Sequence, residues 1–116
     1  DANYTNRVTT AFASIDDTQD PEYFYVSFNG SNSDFSGQLN PGESVEVTVW
    51  VATMEDRTAI DTRYTDFSVK FYDGNQTEIT TGAPTMTSSA NKGKVTITYD
   101  FVASHGYKVG GFVTAS

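Results

Sequence analysis

In the stretch Ser44-Val45-Glu46-Val47-Thr48-Val49-Trp50-Val51 every second residue is valine. A period of two places Val45, Val47, Val49 and Val51 on one face of a strand, and Glu46, Thr48 and Trp50 on the other. The strand predicted here runs over 44–53. The turn before it, Asn40-Pro41-Gly42, has Pro where φ is preset and Gly where a type II turn needs positive φ. The same alternation recurs along the chain. Over 4–14, Tyr4, Asn6, Val8, Thr10 and Phe12 share a face. Over 22–28, Phe24, Val26 and Phe28 oppose Tyr23 and Tyr25. Over 64–72, Phe67, Val69 and Phe71 point inward, and over 94–104 Val95, Ile97, Tyr99 and Phe101 do so. A last strand is predicted over 107–114, with short elements over 35–39, 76–80 and 85–89. Turns are expected at Asp73-Gly74, Asn91-Lys92-Gly93 and His105-Gly106, and a loop over 54–62. No segment carries a helical period.

Seven to nine short strands with such punctuation predict an all-β fold, a single antiparallel β-sandwich of jelly-roll or Ig-like type. At 116 residues the chain suits one domain. It divides into an N-terminal strand over 1–14 and a sandwich domain over 15–116. No apolar run approaches the ~20 residues needed to cross a membrane, and the opening at Asp1 is read as a processed, exported chain.

Charge sharpens this reading. The net charge is −8 and uneven: residues 8–56 hold nine acids and no Lys or Arg, while residues 57–116 hold six bases against five acids. Such a surface repels phosphate backbones and anionic headgroups, so nucleic acid and membrane partners are not expected. The absence of cysteine excludes a disulfide scaffold, thiolate metal sites and a cysteine nucleophile.

Candidate chemistry is sparse, and no enzyme is expected. His105 is the single histidine, between serine and glycine at a turn, with neither a nucleophile elbow nor an HExxH pattern in the chain. Asp16, Asp17, Asp20 and Glu22 have the hard-oxygen chemistry of a Ca²⁺ site without EF-hand spacing, against the plainer reading of a solvated acidic turn. Asn3, Asn29 and Asn75 open N-x-S/T acceptors, about as many as chance supplies in a chain so rich in Ser and Thr. Trp50, on the outward side of its strand, is a candidate sugar platform with Tyr23 and Tyr25, an inter-subunit aromatic, or a residue packed under its own chain.

The N-terminal strand admits two readings. Paired within its own domain it is strand one. Paired with a neighbour it is a donor strand, adding main-chain hydrogen bonds by β-augmentation through Tyr4, Val8, Thr10 and Phe12. A head-to-tail contact of that kind need not close and builds filaments. Here Thr10-Ala11-Phe12-Ala13-Ser14, followed by Leu39-Asn40-Pro41-Gly42-Glu43-Ser44-Val45, resembles the landmarks of the TasA/camelysin group and the archaeal bundling pilins. The resemblance covers about the first 45 residues. It implies an exported β-sandwich that polymerises into extracellular fibres by N-terminal donor-strand exchange. Ile15 departs from that pattern, standing where bacterial members tend to have Gly, and the chain is shorter than the bacterial matrix protein. The expectation is therefore a secreted structural subunit whose partners are its own copies. A carbohydrate-binding or adhesion module using Trp50 is the alternative.

Overall fold

The computed structural model describes residues 7–8, 12–15, 23–28, 39–53 and 59–116. Within them the chain is mostly β, with strands β1 (Arg7–Val8), β2 (Phe12–Ile15), β3 (Tyr23–Phe28), β4 (Ser44–Ala52), β5 (Phe67–Asp73), β6 (Glu78–Ile79), β7 (Thr87–Ser89), β8 (Lys92–Thr98) and β9 (Lys108–Ala115), and one short helix, α1 (Tyr99–Ser104). Two sheets form. One runs β3-β4-β8-β7 and is antiparallel throughout. The other runs β9-β5-β6, with β1 and β2 both on the remaining edge of β9.

The valine strand lies at the centre of the first sheet, and its pattern holds: Val45, Val47, Val49 and Val51 are buried. The type II turn before it is present, with Glu43 N–H donating to the Asn40 carbonyl at 2.9 Å and Gly42 at φ 85°. Buried Val95 and Ile97 of β8, Phe67 and Phe71 of β5, and Val109 and Val113 of β9 join those valines in one apolar cluster fed by both sheets. At Gly93 the facing sheet comes close to the β8 backbone. A Cβ built on it would stand 2.6 Å from the Phe67 Cβ and 2.7 Å from the Met86 Sδ.

Three expectations are corrected. The strand predicted over 94–104 ends at Thr98 and becomes α1, because Thr98 accepts a hydrogen bond from Phe101 N–H as an N-cap and Asp100 sits in the first turn. Neighbouring Phe101 and Val102 are both buried, which a half-buried strand does not allow. The helix closes in a Schellman arrangement, with Gly106 at φ 80° and Tyr107 N–H donating to the Val102 carbonyl at 2.8 Å. Next, the turn expected at Asn91-Lys92-Gly93 is centred on Ala90 and Asn91, at φ 54° and 62°, so Lys92 and Gly93 belong to β8. Finally, the sheets are not wholly antiparallel. β1 and β2 pair with β9 in parallel, which is possible because nearly the whole chain lies between them as the crossover.

Candidate functional site

Two regions follow from the sequence reading, and they lie on different sheets. The first is the slot along β9. Arg7 and Val8 are in register with Lys108 and Val109, and Phe12, Ala13, Ser14 and Ile15 with Phe112, Val113, Thr114 and Ala115. The other edge of β9 is satisfied by β5 over its full length, from Phe67↔Ala115 to Asp73↔Val109. On β9 the residues alternate as their sequence demands: Val109, Gly111, Val113 and Ala115 are buried, while Gly110, Phe112 and Thr114 are half-buried on the opposite face. Val8 is thus in register with an inward position and Phe12 with an outward one. Tyr4 and Thr10 lie outside the described residues.

The second region is the outward row on the antiparallel sheet. β3 is the neighbour of β4, and Tyr25 is in register with Trp50, while Tyr23 is in register with Ala52, two positions away. The Tyr25 and Trp50 rings are stacked, with centroids 6.1 Å apart and planes 12° from parallel. From the β8 side the Lys92 ammonium lies over the Trp50 ring, 5.3 Å from its centroid. Trp50 is half-buried between these two. The question raised by an outward tryptophan is answered inside the sheet: its neighbours are an aromatic on one strand and a cation on another, pairs of the kind that stabilise sheets by about 0.2–1 kcal/mol each. The sequence reading found Tyr25 and missed Lys92, since placing the turn at Asn91-Lys92-Gly93 took Lys92 out of the ladder.

The remaining candidates are quickly placed. His105 caps α1. Its Nδ1 is 2.9 Å from the Phe101 carbonyl oxygen, which can only accept, so Nδ1 carries the proton. Ser104 Oγ is 3.1 Å from that same nitrogen and also donates to the Phe101 carbonyl. A protonated Nδ1 cannot take the serine proton, so this pair is structural. The His105 ring also packs on Phe101, with centroids 5.0 Å apart. Nearby, desolvation and then the Tyr107 phenol beside it raise the Tyr99 hydroxyl above its usual pKa.

Asn75 is exposed in the turn between β5 and β6, its N–H donating to Asp73 Oδ1 at 2.8 Å. Asn3, Asn29 and the acidic cluster of Asp16, Asp17, Asp20 and Glu22 lie outside the described residues. Among the described residues no three His, Asp or Glu come together as a metal site, and no helix is long and apolar enough to cross a membrane. Asp61 is buried and receives the Arg63 guanidinium through two nitrogens, the shorter contact being 2.7 Å. The segment is tied to β4 beside it, where Ile60 bridges Ala52 and Asp61 N–H donates to the Val51 carbonyl at 2.8 Å. No family model, no curated protein and no solved structure matches the chain.

Proposed function

We propose that the chain is a structural subunit of an extracellular filament, a secreted β-sandwich that joins head-to-tail when the N-terminal strand of one copy occupies the β9 slot of the next. The observation that carries this reading is the position of that strand. It is the outermost element of its sheet, and among the described residues β1 and β2 pair with β9 alone. Strands β3, β4, β8 and β7 of one sheet, and β9, β5 and β6 of the other, are joined through pairings that do not involve it. It can therefore be exchanged between copies without rearranging either sheet, and a vacated slot would leave the N–H and C=O groups on one edge of β9 unpaired. Exchange repeats the same contact between chains, and being heterologous it propagates rather than closes.

The two sheets sharing one apolar cluster fit the layered sandwich such subunits use. The resemblance of residues 10–45 to the TasA/camelysin and archaeal bundling-pilin subunits points the same way. The sugar-platform alternative gains less, since Trp50 already has Tyr25 and Lys92 against it within its own sheet.

Negative-stain electron microscopy of the full chain beside a chain lacking residues 1–13 tests the proposal. The full chain is expected to give filaments, and the truncated one, still folded by circular dichroism, none. Dispersed monomers from the full chain across a wide range of concentrations would defeat it.

A further inference from the structure

Tyr107 holds a backbone conformation that its own side chain disfavours. It follows Gly106, and both lie in the left-handed region, at φ 80° for the glycine and 64° for the tyrosine. Glycine takes that conformation freely, whereas for a bulky residue it is an outlier that the surrounding structure must hold. Closing α1 needs one left-handed residue, and Gly106 supplies it. The helix end therefore does not explain the second.

What the conformation achieves is the placement of a ring. The Tyr107 ring stands against that of Tyr99, with centroids 6.4 Å apart and planes at 61°. Both backbones are fixed, since Tyr99 N–H donates to the Glu43 carbonyl at 2.9 Å and Tyr107 N–H to the Val102 carbonyl at 2.8 Å. Both side chains are half-buried, so an oxidant in solution reaches them. The phenol ends lie together, because the Tyr107 phenol acts on the Tyr99 hydroxyl. In a phenoxyl radical the ring carbons beside the oxygen carry much of the unpaired electron. Two such rings meeting at a steep angle present those edges to one another. Rings stacked nearly parallel, as Tyr25 and Trp50 are at 12°, do not.

We propose that Tyr99 and Tyr107 form a site of oxidative modification, where a peroxidase acting with hydrogen peroxide couples the two side chains into a dityrosine. Each phenol gives up one electron and one proton. The two radicals form a bond between a Cε of each ring, and the hydrogen on each of those carbons passes to the phenolic oxygen as aromaticity returns. Hydrogen peroxide takes up the two electrons and two protons and leaves as two water molecules. The product closes residues 99–107 into a covalent ring and ties the start of α1 to the entry of β9. It gives a cross-link to a chain that has no cysteine with which to form one. The proposal stands apart from the filament reading and neither needs nor tests it.

The test treats the dilute full-length chain with a peroxidase and hydrogen peroxide, and reads dityrosine fluorescence and intact mass. A monomer lighter by two hydrogens is expected. Digestion with an enzyme that cuts before Asp100, between the two tyrosines, is expected to leave the Tyr99 and Tyr107 fragments joined. Tyr107→Phe, checked for folding by circular dichroism, is expected to lose at least tenfold of the intramolecular product. An unchanged mass under conditions that couple free N-acetyltyrosine would overturn the proposal. So would links mapped to other tyrosines, links formed only between chains, or an undiminished yield from Tyr107→Phe.

Discussion

Gly93→Val is expected to destabilise the chain by at least ~3 kcal/mol, at the upper end of what overpacking a core costs. Gly93 is buried on β8, in register with Val49 on one side and Ser88 on the other. The space a first side-chain carbon needs is already taken: the Phe67 Cβ at 2.6 Å belongs to the facing sheet and moves only if β5 moves. Met86 Sδ, at 2.7 Å, can swing aside, because an unbranched thioether adapts readily. Phe67 cannot, as its N–H donates to the Ser88 hydroxyl oxygen at 2.9 Å and its carbonyl accepts from the same hydroxyl at 3.2 Å. Valine at 93 therefore pries the sheets apart at the point where β5, β7 and β8 meet. In thermal unfolding the midpoint is expected to fall by roughly 10 °C or more for a chain of this size. A midpoint within about 2 °C of the parent would show that the sheets do not approach as closely there.

Phe101→Ala is expected to cost about 3–5 kcal/mol, the usual range for removing a buried aromatic. The ring is 8% exposed, stands edge-on to Phe71 with centroids 5.3 Å apart, and lies under the His105 ring. Through Phe71 it ties α1 to β5, so its loss leaves a cavity bounded by a sheet and by a helix too short to collapse into it. Chemical denaturation should show a lower midpoint with an unchanged slope. A loss under about 1 kcal/mol would mean that α1 contributes little to the core.

How much of this was legible beforehand depended on the length of each pattern. β4, β5 and β9 were readable because each carries several alternating apolar positions, and the type II turn because Pro41 and Gly42 admit few other conformations. α1 was hidden by its composition. Tyr99 and Phe101 extend the spacing of Val95 and Ile97, and six residues are too few for a period of 3.6 to emerge. Its end signals were present in Thr98, Asp100 and Gly106, but alternation outweighed them. The direction of the N-terminal strand was not readable at all, since a period of two says which residues share a face and nothing about which strand lies alongside. Trp50 illustrates both sides: its outward position and the nearness of Tyr25 followed from alternation, whereas Lys92 required the ladder from β4 to β8.

The central claim is that the N-terminal strand passes between copies, and cysteine trapping tests it most directly because the chain has no cysteine of its own. Ser14 and Thr114 are in register on adjacent strands, a separation within the usual Cα span of a disulfide. Ser14→Cys and Thr114→Cys are made in separate chains, mixed under assembly conditions and oxidised. Strand exchange predicts disulfide-linked heterodimers containing one of each variant, identified by mass, and a ladder of multimers from the double variant on a non-reducing gel. If the double variant closes only on itself as a monomer and the mixed single variants stay unlinked, the strand belongs to its own domain and the filament account is wrong.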